Sequence, residues 1–306
     1  MLSSLSRPAA AGFLLALACS ACTEVKTPVI PAPTPTTPTT TTPTTPTTPA
    51  VVNGEARDFA QYTELVWNDD FNGTGAPDPA KWGYDLGGGG WGNHELETYT
   101  NSTANVSQSG GNLVIQAIQQ GSNGTYTYTS GRILTKGKQD FKFGRVDVRA
   151  KVPQGKGLWP AIWMLGSDID SNNWPKCGEI DMMELRGQTP TEILTTMHYA
   201  DNSGNHKQGG ISGVKLPNNA SFADDFHVYS AVRSQNQIRF YLDSQLYYTY
   251  TRDTSAPYPF DNNFFVVLNL AIGGDFLSNP DANTIATTPF PQQLQVDYVK
   301  YYQYKE

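Results

Sequence analysis

An all-β domain of the β-sandwich or jelly-roll kind is predicted by three observations. Apolar and polar residues alternate with period two in several stretches, and β-branched and aromatic residues are concentrated there. Gly, Pro, Asn and Asp bound those stretches, and no long segment shows helical periodicity. In "GRVDVRAKV", Val146, Val148, Ala150 and Val152 fall on one face of a strand and Arg145, Asp147, Arg149 and Lys151 on the other. "IRFYLD", "NFFVVLNLAIGG" and "LQVDYVKYYQ" are further runs of this type. Many short strands with frequent turns bury their apolar faces by stacking two sheets.

The chain does not begin with that domain. Residues 1–22 carry Arg7, an apolar run from Ala9 to Ala18 and then "ACSAC". This pattern predicts a bacterial export signal, and the apolar run is too short for a membrane span. Cys19 and Cys22 are candidates for a lipid anchor to the membrane. A lipid-attachment box usually has Leu three positions earlier, where Cys22 has Cys19 and Cys19 has Ala16. Secretion after simple cleavage therefore stands beside the lipoprotein reading. Residues 23–54 are read as a linker, since Thr27 to Ala50 contains 12 Thr and 8 Pro among 24 residues. Such a composition cannot bury a core and favours an extended tether.

Residues 55–306 are predicted to form one domain. The first 50 residues carry Arg7 and Lys26 against Glu24, so the formal charge of the remainder moves from −7 to −8. An acidic surface argues against nucleic acid and sulfated polymers as partners. Cys177 is the single cysteine of the domain, so its fold is expected to stand without an internal disulfide.

The chemistry is concentrated in "GEIDMMELRG", residues 178–187. On a regular strand Glu179 and Asp181 share a face and Glu184 falls on the other. On a helix the three acids spread over roughly 200°. A strand with one extra residue near Met182 and Met183 would return Glu184 to the face of the other two. Ile180 and the two methionines mark the opposite face as buried, so a solvated acidic face is disfavoured. Crowded like charges split their pKa values, leaving one carboxyl ionised and another protonated near neutral pH. That division suits glycoside hydrolysis, where one carboxylate attacks the sugar and a protonated one serves the leaving oxygen. A calcium loop is the rival reading, but such loops need Gly and Asn where this stretch is apolar.

Aromatic residues surround the acids. Alternation in "GLWPAIWMLG" puts Trp159 and Trp163 on one face, and Trp174 follows shortly before the acids. A Trp in a sandwich is commonly core, yet a pyranose also offers a flat C–H face to an indole. The four glycines before Trp91 make no phosphate loop, because no strand-to-helix context follows them.

"WPKCGEIDMMELRG", preceded by "FKFGRVDVRAKVPQGKGLWPAIWMLG", closely resembles glycoside hydrolase family 16 and, within it, the bacterial laminarinases, which are endo-β-1,3-glucanases. "LVWNDDFNG", "WGNHELETYT", "RILTKGK" and "FPQQLQVDYVKYYQ" extend the likeness over nearly all of residues 62–304. The resemblance implies a curved β-sandwich jelly roll with a concave cleft. It implies Glu179 as nucleophile, Glu184 as acid/base and Asp181 as the residue between that tunes the nucleophile. It also implies that Asn93 and Glu95, with Trp91 beside them, contact sugar; a structured Gly-rich loop is the alternative. His198 shares a strand face with Thr196 and is expected to flank the cleft near Glu184, unless it is a structural histidine. No cofactor is expected for catalysis. A structural Ca²⁺ on the convex side would be held by Asp70 and Gly111 through backbone oxygens and by Asp297 through its carboxylate. The expected partner is a β-1,3-glucan met by a monomer. A non-catalytic glucan-binding protein, or a hydrolase of agarose or mixed-linkage glucan, remains the alternative.

Overall fold

The computed structural model describes residues 57–305. The expected signal and linker, with Cys19 and Cys22, lie outside the described residues. The strands, in chain order, are β1 (Glu64–Asp69), β2 (Gly83–Tyr84), β3 (Glu97–Tyr99), β4 (Val106–Ser109), β5 (Asn112–Ser122) and β6 (Thr125–Ser130). Next come β7 (Arg132–Leu134), β8 (Gly144–Lys151), β9 (Leu158–Gly166), β10 (Glu179–Glu184), β11 (Ile193–Ala200) and β12 (His206–Val214). The last are β13 (His227–Arg233), β14 (Gln237–Leu242), β15 (Gln245–Thr251), β16 (Phe264–Ile272) and β17 (Gln292–Gln303). Among the described residues, helix is confined to a single turn, α1 (Ala282–Ile285), and short 3₁₀ segments.

Two sheets result, as the alternating pattern predicts. One has ten strands along the order β15-β14-β13-β8-β17-β5-β6-β3, with β1 on β17 and β4 on β5. The other has seven, in the order β12-β11-β10-β9-β16-β7-β2. Val146, Val148 and Ala150 of β8 meet Ile162 and Met164 of β9, Ile180 of β10 and Met197 of β11 in one continuous core. That core is the layer between the sheets of a jelly-roll sandwich. The run "FFVVLNLAI" is buried at every position, because β16 lies inside the seven-stranded sheet between β9 and β7, with Val266, Leu268 and Leu270 in the main core and Phe265 and Val267 in a separate cluster. A strand covered on both faces cannot alternate, and the exception within it, Asn269, has a use in the site.

One position on the outward face is buried. Asp147, which alternation places beside Arg145, Arg149 and Lys151, is 5% exposed. The outer face of the ten-stranded sheet is covered here by a second apolar cluster around Tyr62, Val232 and Tyr241. Arg145 lies over the rings of Phe59 and Tyr302 and places its Nε 3.1 Å from Asp147 Oδ2. Burial raises the Asp147 carboxyl, and Arg145 opposes that shift.

Candidate active site

The face of the seven-stranded sheet turned away from the core carries the acids, and the register shows how. Across to β11, Glu179 faces His198, Asp181 faces Thr196 and Glu184 faces Leu194. Three steps on β10 therefore match two on β11. Across to β9, Asp181 faces Trp163, Met183 faces Ile162 and Glu184 faces Ala161, which leaves Met182 as the extra residue. This is the predicted bulge, and it returns Glu184 to the face of Glu179 and Asp181. Met182 and Met183 both go into the core. A bulge takes carbonyls off the ladder, and buried carbonyls need donors. The Thr195 hydroxyl donates to the Asp181 carbonyl, and the Tyr247 hydroxyl donates to the Met182 carbonyl at 3.3 Å. Gly178 feeds the strand with φ +80°, where an added Cβ would sit 2.7 Å from Pro259. Only glycine fits that entry.

A cleft of about 350 Å³ lies over this face. Its walls bring together nine of the residues expected from the sequence: Glu179, Asp181, Glu184, Trp91, Asn93, Glu95, Trp159, Trp163 and Trp174. Trp159 donates its indole N–H to Glu184 Oε1 at 3.0 Å and stacks on Phe276, with ring centroids 4.6 Å apart. Trp174 stands at the mouth, 45% exposed. Trp91 packs on Tyr99, and the glycines around it take positive φ, so the Gly-rich loop is both structured and part of the wall.

His198 departs from expectation. It was placed near Glu184, but it lies at the other end of the acid row, 3.0 Å from Asp181 Oδ2 and 3.7 Å from Glu179 Oε1 through Nε2. The antiparallel register explains this, because His198 pairs with Glu179 while Glu184 pairs with Leu194, four residues before His198. Its Nδ1 lies 2.8 Å from His206 Nε2.

Two polar cleft residues were not singled out from the sequence. Arg132 of β7 lies between the rings of Trp91 and Trp163, 4.9 and 4.7 Å from their centroids, and pairs with Asp85. Asn269 of β16 accepts from Trp163 Nε1 at 2.8 Å. A lone amide in an otherwise apolar strand was the signal for Asn269. Arg132 had none, since its place depends on pairing with Asn269 across two strands far apart in the chain.

The electrostatics follow from burial. Glu179 is pushed up to about 8, by desolvation first and then by Asp181; His198 and Arg132 pull the other way. Glu184 rises to about 8 for the same two leading reasons, against His198, the Trp159 hydrogen bond and Arg186. Asp181 rises to about 8 by burial. The direction is what three crowded carboxyls in one cleft require, and they titrate as a set. Ligand atoms of Glu179, Asp181 and His198 also lie within 4.8 Å of one another, close enough to hold a metal ion.

The residues expected to bind calcium are on the other sheet. Leu113 pairs with Val296 and Asp69 with Val299, so Gly111, Asp70 and Asp297 come to one corner of that sheet. Asp297 Oδ2 accepts from Arg149 Nη1 at 2.6 Å, and Asp70 pairs with Lys300 at 2.9 Å. One Asp297 oxygen and two backbone carbonyls would offer an all-oxygen set of the kind a hard cation takes.

The family described as "Glycosyl hydrolases family 16" matches residues 93–300. The Glucan endo-1,3-beta-glucosidase A1 of Niallia circulans is 41% identical over 261 residues, 78% of this chain and 37% of that protein. The Beta-glucanase of Rhodothermus marinus is 38% identical over 269 residues, 84% of this chain and 91% of that one. The chain thus spans little more than a third of the first relative and nearly all of the second. Among solved structures, the laminarinase catalytic domain from Thermotoga maritima matches with a TM-score of 0.69 at 37% identity, covering 79% of this chain and 99% of that one. The family match runs from Asn93 on the cleft wall to Lys300 on β17 and takes in the bulged strand with all of its acids, so the chain belongs to glycosyl hydrolase family 16.

Proposed function

We propose that this domain is a retaining endo-1,3-β-glucanase acting on laminarin-like glucans, with Glu179 as nucleophile and Glu184 as acid/base. The observation that carries the reading is the single extra residue in β10, which sets Glu179, Asp181 and Glu184 side by side in a cleft walled by indoles. Arg132 favours the ionised form of Glu179, and so does His198 when it carries a proton. Glu179 attacks the anomeric carbon while Glu184 gives its proton to the departing glycosidic oxygen. Glu184, now ionised, takes a proton from water, whose oxygen displaces Glu179 and restores the starting configuration. Asp181 lies between the two, and its charge holds both glutamates' pKa values up. Trp159, Trp163 and Trp174 offer flat faces to the sugar rings.

The relatives' names and the intact acid trio support a hydrolase over a glucan-binding protein. The net acidic charge supports a neutral glucan over a sulfated one. The signal-like start and the Thr/Pro tract support export, with Cys19 or Cys22 as the anchor if lipid is attached. Asp70, Gly111 and Asp297 would hold a Ca²⁺ that supports the fold and takes no part in the reaction.

The test is hydrolysis by the purified protein of laminarin, mixed-linkage glucan and agarose, with the anomer of the first product read by NMR. Release of β-anomers from laminarin is expected. An α-anomer as first product overturns the retaining mechanism, and agarose as the preferred substrate overturns the substrate class.

A further inference from the structure

A second pair of acids lies at the back of the cleft wall, and the proposed reaction leaves one of them without a task. Glu95 lines the cleft. Glu97 lies behind it at 1% exposure.

Donor counting shows where the charge of this pair sits. The Trp163 indole can only donate, and it donates to Asn269 Oδ1. The Asn269 amide is thereby oriented, and its Nδ2 donates to the Tyr99 oxygen at 3.1 Å. The Tyr99 proton then goes to Glu95 Oε2 at 3.1 Å. Asn93 Nδ2 donates to Glu95 Oε1 at 2.9 Å. Both Glu95 oxygens accept, which is the pattern of an ionised carboxylate. Glu97 Oε2 accepts from the Ile272 backbone N–H at 2.7 Å, while its Oε1 is buried with no donor directed at it. Glu95 and Glu97 stand two residues apart on an extended segment and so share a face, and a side-chain hydrogen bond to Glu95 is among the causes that raise the Glu97 carboxyl. Such a bond needs a proton, and Glu97 Oε1 is the one oxygen of the four with no donor already assigned to it.

We propose that Glu97 stays a protonated carboxylic acid at neutral pH and donates to Glu95, holding Glu95 ionised as an acceptor for a sugar hydroxyl. This deepens the glucan reading and rests on it. Burial first and the Glu95 charge second push Glu97 up to about 9, which agrees with the donor count. Tyr99 faces the pair and is itself acted on by Arg132, and Tyr128 stands opposite Glu97 across the parallel ladder. Arg132 is itself neutralised by Asp85 at 2.9 Å. Glu97 touches no substrate, so it is a positioning residue acting through Glu95.

The test compares the full chain with Glu97→Gln and Glu97→Leu. Gln supplies the same donor without titrating, and Leu supplies none. A carboxyl protonated in the folded state and ionised in the unfolded one costs stability as pH rises from its ordinary value toward the folded one. The Tm advantage of Glu97→Gln over the parent should therefore widen from about pH 5 to about 9 and level off above it. At about pH 6, KM for laminarin should stay within about twofold of the parent in Glu97→Gln and rise about tenfold in Glu97→Leu, with kcat changed less. The parent's KM should climb as pH passes about 9, and that of Glu97→Gln should not. A Tm difference that is flat with pH, or a folded Glu97→Gln variant with a tenfold raised KM, overturns the proposal. If Glu97→Leu does not fold, Glu97→Gln carries both readouts. A widening Tm gap in a protein that leaves laminarin intact supports the proton assignment and overturns the glucan reading instead.

Discussion

Glu95 and Glu97 stand two residues apart in the chain, as do Glu179 and Asp181, but their surroundings differ. Around the first pair, Asn93, Tyr99 and the Ile272 N–H each supply a donor to a particular oxygen. Around the second group, Trp159 donates to Glu184. His198 stands 3.0 Å from Asp181 Oδ2 without lining up as a hydrogen bond to it. Burial therefore sets the level of all three acids on β10, at about 8. A donor-rich cluster holds one protonation pattern through a reaction cycle. A donor-poor cluster can exchange protons, which a general acid that later acts as a base requires. One cleft wall has to keep its charge still while the floor moves it.

The largest break of that division is Glu179→Ala. It removes the covalent route and should lower turnover of laminarin by about 10⁴-fold or more. Azide should then attack directly and give the inverted α-glycosyl azide. Glu184→Ala comes next. It should cost roughly 10²- to 10⁴-fold on laminarin and far less on an activated aryl glycoside, which needs no proton on its leaving group. Azide should there give the β-glycosyl azide. If product analysis finds the two azides interchanged, the roles of the glutamates are reversed.

Deleting Met182 tests the bulge. The shortened "EIDME" alternates regularly and already puts its three acids on one face. Loss of a buried Met should cost about 2–5 kcal/mol in denaturant titrations. Activity should persist within about 10²-fold of the parent, whereas complete loss in a folded variant would show that the bulge also sets the spacing of the acids.

Chelation should act on the other sheet. Removing bound calcium should lower stability by about 2–3 kcal/mol at saturating metal and leave turnover intact at a temperature where the protein stays folded. Asp297→Ala should remove the response of Tm to calcium. Immediate loss of activity in the folded, chelated enzyme would move the metal to Glu179, Asp181 and His198.

The smallest effect is a drift of stability with pH. Glu179, Asp181 and Glu184 all have folded pKa values raised above their ordinary ones, so they favour folding most at low pH. Their contribution fades as pH rises from about 4 toward about 8. Replacing Glu179 and Glu184 together by Gln should flatten that part of the Tm profile. An unchanged slope would assign the raised pKa values to other groups.

Much of the architecture and most of the cleft were legible in the chain because strand geometry is local. Alternation alone placed Val146, Val148 and Ala150 inward and Trp159 and Trp163 together, and the spacing of Glu179, Asp181 and Glu184 implied an irregular strand. The burial of Asp147 was not legible, because that outer face is covered by residues near 59–62 and 298–302, which no local pattern reports. His198 was misplaced because the register of β10 on β11, which sets it opposite Glu179 rather than Glu184, is fixed by pairing between strands and not by either strand's own pattern.

The sequence by itself determined the sheets, the faces of their strands and the crowding of acids on β10, because a two-residue period is a property of the backbone within a few residues. Only the tertiary structure decided which oxygens carry protons, where His198 and Arg132 act, and that Asn269 joins Trp163 to Tyr99. Those outcomes depend on donors from β3, β7, β11 and β16, which the chain separates by tens of residues and the seven-stranded sheet and its bordering strands bring within hydrogen-bond reach.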